Sequence, residues 1–242
     1  MNAPAFWEIF VTYRKVGRLR YLSHLDVARG MERALRRSGL PIRYTKGYNR
    51  RMRLHFGQAL PVGAEGKAEI LGIEMTQPLP PEEIARRMNE QLPPELAVTR
   101  AWGLPQGAAS PFKALERANY TMVVAASPPV AREDLTEAVT VLLAAKEFLL
   151  LCSEGEGKVV DIRPRIYDLA VGGDGDHLEL HMTLGHSQDN YLNPDRCLRA
   201  LEVLMDRSVS LRWTRLVRTA LLSRPGERLQ CAWGVGRGRC RG

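Results

Sequence analysis

Basic side chains are concentrated in one early stretch of the sequence, and residues of this type can bind a polyanion. Between Tyr13 and His55 there are thirteen Lys or Arg residues against Asp26 and Glu32, so this stretch carries a formal charge of +11. The whole chain carries +8, and the other residues therefore sum to −3. Such a local excess predicts one basic surface, and the planar guanidinium of arginine suits phosphate oxygens and the faces of bases. We therefore expect RNA to bind here, with tRNA or rRNA as the expected class.

Four of these arginines would line one side of a helix, because Arg33, Arg36 and Arg37 follow Arg29 at offsets of four, seven and eight residues. The alternative is an ordinary solvated face, but such faces usually mix charges of both signs, and only Glu32 is close enough to neutralise any of the four. The residues predicted to contact nucleic acid are Arg18, Arg20, Arg29, Arg33, Arg36, Arg37, Arg43, Lys46, Tyr48, Asn49, Arg50, Arg51 and Arg53.

His24 is the candidate for catalysis, since it falls at the first position of the same helix. Exposed amides and the helix dipole favour an anion there, and a histidine beside a bound phosphodiester could transfer protons without a metal. The alternative is a first-turn histidine that only makes hydrogen bonds. A second imidazole, His55, could complete an acid and base pair if the two rings converged, which the sequence does not establish.

The sequence offers little for a metal or a cofactor. Four cysteines are scattered without any C-x-x-C pair: Cys152, Cys197, Cys231 and Cys240. This pattern predicts reduced thiols rather than a zinc site, an iron–sulfur cluster or a disulfide framework. His177, Glu179 and His181 alternate along a predicted strand and could ligate a metal, but any half-buried strand has a polar face of this kind. We expect no metal and no cofactor.

Residues typical of helix ends and of linkers indicate which elements position these side chains. Ser23 followed by Asp26 predicts a helix start, and Gly39 followed by Pro41 predicts its end. The first half of the chain reads as βαβ, one or two further strands, then αβ, and the second half repeats this order with an irregular insertion at 164–176. These patterns predict an α+β fold of two tandem ferredoxin-like sandwiches, at 1–104 and 117–224, joined by a linker at 105–116 and followed by a flexible basic tail at 225–242.

Three motifs carry a resemblance to a known family. They are GRLRYLSHLD from Gly17 to Asp26, the pattern that runs from Gly47 to Gly63, and VVDIRP from Val159 to Pro164. The order of residues closely resembles the radical-SAM-linked proteins, which are built on an uncharacterised bacterial domain found alone or fused C-terminally to radical-SAM enzymes. The resemblance implies association with radical-SAM chemistry. The chain lacks the C-x-x-x-C-x-x-C motif of that chemistry, so it cannot itself be the radical-SAM catalyst.

Taken together, the sequence predicts an RNA-binding accessory protein that is not an enzyme on its own and works with a radical-SAM or RNA-processing or modification enzyme. Two alternatives remain open: a metal-independent endoribonuclease that uses His24, and a protein–protein adaptor for a radical-SAM enzyme. No apolar run approaches the roughly 20 residues that span a bilayer, and the first residues lack the features of a signal peptide. We therefore expect a cytoplasmic protein that does not contact a membrane.

Overall fold

A run of aromatic and β-branched residues forms the first strand, β1, at Trp7–Lys15. The structure is a computed structural model, and it describes residues 6–104, 109–151, 159–173, 177–205 and 209–223. The chain divides into two compact units between Phe112 and Lys113. Both units combine helices with an antiparallel sheet, so the predicted α+β class is confirmed.

After β1 the elements of the first unit are a 3-10 turn at Gly17–Tyr21, α1 at His24–Arg37, β2 at Leu54–Phe56, β3 at Glu65–Met75, α2 at Pro81–Asn89, a 3-10 turn at Pro94–Leu96 and β4 at Val98–Gly103. Its four strands form an antiparallel sheet in the order β4-β1-β3-β2. The one-turn helix α3, Pro111–Ala114, lies at the division between the units.

Helix α1 begins and ends at the residues that the sequence predicts. The Ser23 hydroxyl accepts a hydrogen bond from the amide of Asp26 at 3.2 Å and donates one to its carboxylate at 2.6 Å. Both bonds satisfy groups that a free helix start would leave to water. At the other end, Gly39 adopts a φ of 65°, a left-handed conformation that glycine reaches at little cost.

The core of the first unit lies between α1, α2 and one face of its sheet. Side chains that alternate along β1 pack in one cluster with apolar side chains of both helices. The members of this cluster include Ile9, Val11, Tyr13, Val27, Met31, Leu35, Met52, Ile84 and Met88, with Leu71, Ile73 and Met75 of β3. Because strand side chains point alternately to the two sides, the residues between them lie on the opposite face.

The elements of the second unit are β5 at Leu115–Ser127, α4 at Arg132–Ala144, β6 at Leu149–Leu151, β7 at Val159–Asp161, a 3-10 turn at Arg163–Arg165, β8 at Ile166–Gly172, β9 at Leu178–Gly185, α5 at Pro194–Leu204 and β10 at Ser210–Ser223. Four of its strands form an antiparallel sheet in the order β10-β5-β9-β8. Strands β6 and β7 form a separate antiparallel sheet of two strands.

Some predictions need correction. Most of the stretch predicted to be an irregular insertion, 164–176, is the regular strand β8, which pairs with β9 from Ile166 to Gly172. Between α1 and β2 the chain forms only isolated bridges, of Ile42 with Met75 and of Tyr44 with Met52, where the order of elements predicts a strand. Within the predicted linker at 105–116, residues 111–114 form α3 and β5 begins at Leu115.

Other predictions lie outside the described residues. These are the basic tail at 225–242, part of the linker at 105–108, and Cys152, Cys231 and Cys240. Within the described part of the chain, no helix is long and apolar enough to cross a membrane.

Candidate nucleic-acid interface

The outer side of α1 presents the arginines that the helical spacing predicts. Arg29, Arg33 and Arg36 are exposed, while Val27, Met31, Ala34 and Leu35 are buried beneath them. Arg29 lies 3.7 Å from the Asp26 carboxylate in an exposed pair, which gives little stability. The hydrogen bond from the Ser23 hydroxyl first, and then the charges of Arg29 and Arg33, hold the pKa of Asp26 below its usual value.

Arg37 has a different role from its neighbours on α1. Its Nε donates to the Gln91 side chain at 3.1 Å, and its Nη2 donates to the Gln91 carbonyl at 2.8 Å. These two bonds fasten the last turn of α1 to the segment that follows α2. Arg37 is thus engaged within the protein, although the sequence placed it in the same row as Arg29, Arg33 and Arg36.

A buried carboxylate gathers three of the other basic side chains. Glu74 in β3 is 4% exposed, and it pairs with Arg43 at 2.7 Å, with Arg53 at 3.2 Å and with His55 at 3.2 Å. Burial raises the pKa of Glu74, but the hydrogen bonds from His55, Arg53 and Arg43 outweigh it, and the net direction is downward. The single negative charge of Glu74 therefore offsets one of the two positive charges of Arg43 and Arg53, and both side chains are held at this carboxylate.

The two candidate imidazoles lie on opposite faces of this sheet and cannot form an acid and base pair. His24 packs edge-on against the Phe56 ring, with 5.6 Å between the ring centroids, on the helix-covered side. His55 precedes Phe56 in β2 and bonds Glu74, so its side chain points the other way.

The cavity beside His24 is too small for a nucleotide. Its volume is about 20 Å³, and its walls include Tyr13, Lys15, Glu69 and Gln58. A cavity of this size holds about one water molecule. Within the described residues, His24 thus packs against Phe56 and lines this small cavity.

The 3-10 turn before α1 is held by buried charges that the sequence did not single out. Lys15 is 3% exposed, and its ammonium donates to the carbonyls of Arg20 at 3.2 Å and Leu22 at 3.3 Å. Glu65 is 6% exposed, accepts from the Gly17 amide at 3.2 Å and lies 3.7 Å from Arg20. The sequence did contain one indication of this cluster, because Lys15 occupies a position of β1 where the alternation of apolar residues predicts an inward side chain.

Two arginines of that turn differ in their surroundings. Arg20 is half-buried, bonds the Tyr21 hydroxyl at 2.8 Å and lies over the Tyr21 ring at 4.8 Å. Arg18 is exposed and has no ion pair within the described parts of the chain. Arg18 is therefore more available than Arg20 to bind an anion.

A closed loop carries the remaining predicted residues. The Thr45 amide donates to the Arg51 carbonyl at 2.8 Å, and the Arg51 amide donates to the Thr45 hydroxyl at 2.9 Å. Between these two residues Lys46, Tyr48, Asn49 and Arg50 are all exposed, and Gly47 has a φ of 120° that favours glycine. The loop is thus fixed at its base and presents its polar and aromatic side chains to solvent.

The thirteen cations of the stretch therefore separate into balanced and unbalanced ones. Four pair with acids, namely Arg20, Arg29, Arg43 and Arg53. Arg14 donates to the Pro94 carbonyl, Arg37 is bonded to Gln91, and Lys15 is buried. Among the described residues, six others have an exposed side chain without an ion pair to an acid: Arg18, Arg33, Arg36, Lys46, Arg50 and Arg51.

Among its described residues, the second unit provides no group that could hold a metal. His181 lies 3.7 Å from Glu179 on β9, whereas His177 precedes the strand. Across the described ranges, no three His, Cys, Asp or Glu side chains come together as metal ligands. Cys197 is fully buried, and burial first and the nearby Asp195 second raise the pKa of its thiol to about 12, so the thiol stays protonated.

Comparison with solved structures finds likeness in fold at very low sequence identity. A chain of a Cbf5–Nop10–Gar1 complex has a TM-score of 0.50 and 9% identity over 88% of this chain. A chain of an H/ACA RNP bound to a substrate RNA that contains 2′-deoxyuridine has a TM-score of 0.48 and 9% identity, again over 88% of this chain. The protein spans about half the length of these chains, 48% and 47% respectively. At this identity the likeness to the first concerns the fold alone.

Comparison of sequences gives the family. No curated protein matches the chain significantly. A family described as an uncharacterized protein conserved in bacteria, DUF2344, matches residues 8–194. That match covers most of both units and includes the three motifs noted above, and the chain therefore belongs to the DUF2344 family of bacterial proteins.

Proposed function

We propose that the protein binds RNA through the unbalanced cations of its first unit and acts as a non-catalytic accessory protein. One observation carries this proposal: Arg18, Arg33, Arg36, Lys46, Arg50 and Arg51 are exposed and no described acid pairs with them. Five other cations of the same stretch, by contrast, have side-chain partners within the first unit. Exposed arginines that repel one another at helical spacing gain most from a ligand of opposite charge.

RNA suits this set better than a compact anion because the six residues are spread along a turn, a helix and a loop. A polyanion offers phosphates at regular intervals, and each contact releases condensed counterions. Five of the six are arginines, which can also stack on bases.

The test measures the binding of a labelled RNA by fluorescence anisotropy across a range of salt concentrations. Replacement of Arg33 and Arg36 by Gln removes two phosphate contacts without changing helix propensity greatly. For single-stranded RNA each contact adds about 0.7 to the slope of log affinity against log salt, so the slope should fall by about 1.4. The affinity should fall roughly 25-fold at about 0.1 M salt.

A matched variant removes the same charge elsewhere. Lys146 and Arg212 are exposed residues of the second unit, and their replacement by Gln should leave the slope unchanged. Equal losses in the two double variants would mean that only net charge matters and would overturn the assignment of this site. Binding that is absent, or that does not depend on salt, would refute the proposed function itself.

The endoribonuclease alternative gains no support from the geometry of His24. Its ring packs against Phe56, His55 lies across the sheet, and the adjoining cavity holds about one water molecule. Incubation of end-labelled RNA with the protein in EDTA tests it, because cleavage that His24→Ala abolishes would restore this alternative.

Two finer proposals concern the partner and the fold. We propose a radical-SAM or RNA-modifying enzyme as the partner, with a pure adaptor role as the alternative. The motif resemblance alone supports this proposal. Pull-down with and without nuclease separates RNA-bridged from direct contacts.

We also propose that the units are two ferredoxin-like sandwiches in tandem. The strand orders β4-β1-β3-β2 and β10-β5-β9-β8, each with two helices between strands, support this.

A further inference from the structure

The loop between Thr45 and Arg51 has an unusual tip, because its aromatic residue contacts almost nothing. The Tyr48 side chain is fully exposed, at 103% of its reference area. Tyrosine ordinarily covers at least one face of its ring against the protein. A ring held in water at a loop tip therefore has both faces available to a planar ligand.

The base of this loop is ordered, so the position of the ring is restricted. The hydrogen bonds between Thr45 and Arg51 close the loop, and the bridge between Tyr44 and Met52 continues below them. Met52 is 9% exposed and belongs to the core cluster of the first unit. The loop is thus anchored in the core while its tip reaches into solvent.

Cations surround the ring on both sides in the sequence. Lys46 precedes Tyr48, Arg50 and Arg51 follow it, and all three are exposed without an acidic partner among the described residues. Asn49, next to the ring, adds an amide that can donate and accept hydrogen bonds. An aromatic face flanked by phosphate-binding side chains is how proteins hold unpaired nucleotides: the base stacks, and the backbone is neutralised beside it.

We infer that this loop recognises an unpaired nucleotide by stacking of its base on Tyr48, so that the preferred ligand of the protein is single-stranded RNA or an RNA loop. The inference rests on the proposed function and adds the class of RNA to it. In a duplex the bases are stacked on one another, and the deep, narrow major groove of A-form RNA excludes side chains. A duplex therefore offers phosphates to Arg33 and Arg36 but no base face to Tyr48.

The test compares two probes with the full chain: a labelled single strand of about 12 nucleotides, within the usual site size, and the duplex of the same sequence. Tyr48→Ala should weaken binding of the single strand between about 5-fold and 100-fold, as loss of one stacked base does, and should change duplex binding less than about 2-fold. Tyr48→Trp should keep the affinity for the single strand, and Tyr48→Leu should not. The tip is exposed, so these variants should keep the fold, which thermal unfolding verifies.

The outcomes separate this inference from the proposed function. Salt-dependent binding of both probes with no effect of Tyr48→Ala, or with equal effects on both, would overturn the stacking site and leave RNA binding in place. Rescue by Tyr48→Leu as complete as by Tyr48→Trp would mean that an apolar contact suffices, and would also overturn it. Binding of neither probe would instead refute the proposed function.

Discussion

Titration of His186 should make the protein lose stability as the pH falls below neutrality. His186 follows β9 in the second unit and is 3% exposed, and neither ring nitrogen has a hydrogen-bond partner within the described residues. Burial first, and then the positive charge of Arg218, lower the pKa of this imidazole to about 3. The ring is therefore neutral in the folded protein at every physiological pH.

The sign of the effect follows from proton binding in the two states. In the unfolded chain His186 takes up a proton near its usual pKa of 6.5, whereas in the folded protein it resists protonation until about pH 3. Between these values the unfolded state binds more protons, so the free energy of unfolding falls as the pH falls. From pH 6.5 to about pH 4 the loss in the free energy of unfolding that His186 causes grows to about 3 kcal/mol.

Denaturant unfolding of the natural protein and of His186→Leu at about pH 7.5, 5.5 and 4 measures this effect. The variant should be less sensitive to acid by about 3 kcal/mol over the range, because it carries no group to protonate. His181→Leu, which removes an imidazole whose side chain is 51% exposed, is the matched control. Identical pH dependence in the natural protein and His186→Leu, or an imidazole resonance of His186 that titrates near 6.5, would refute the reasoning.

Three further substitutions test the structural roles of charged residues in the first unit. Arg37→Ala should lower the free energy of unfolding by about 1 kcal/mol, through loss of two bonds to Gln91, yet change RNA affinity far less than Arg36→Ala does. Lys15→Met should cost about 3 kcal/mol in chemical denaturation, since it leaves two carbonyls and nearby buried carboxylates uncompensated. Glu74→Gln should cost about 3 kcal/mol at neutral pH. Because the pKa of Glu74 is lowered in the folded state, its contribution is present above pH 4.5, and the deficit of the variant should shrink as the pH falls below that value.

Local signals were sufficient to predict α1 and its ends. Ser23, Asp26 and Gly39 act on backbone groups within a few residues of themselves, so their effects can be deduced from a short window of sequence. The alternation of Leu178, Leu180, Met182 and Leu184 predicted β9 for the same reason, and these side chains are buried. By contrast, strand β8 was missed because its short, mixed pattern acquires a partner only when β9 lies beside it.

The charge balance of the candidate site could not be predicted from the sequence. Arg37, Arg43 and Arg53 find their partners 54, 31 and 21 residues further along the chain. Such pairings depend on the tertiary fold, and a count of charges along the sequence treats paired and unpaired arginines alike. The count of thirteen cations was correct, but it overestimated how many face a ligand.

The slope of the salt dependence distinguishes these two views of the site. If every one of the thirteen cations contacted a phosphate of a single strand, log affinity would fall with log salt at a slope of about 9, whereas the six unbalanced cations permit at most about 4. A slope of 4 corresponds to a loss of roughly 300-fold between about 50 and 200 mM salt. A much steeper dependence would require Arg43 and Arg53 to leave Glu74 when RNA binds. That exchange would uncover a carboxylate that is now 4% exposed, so in that case Glu74→Gln should strengthen binding, and in the static arrangement it should not.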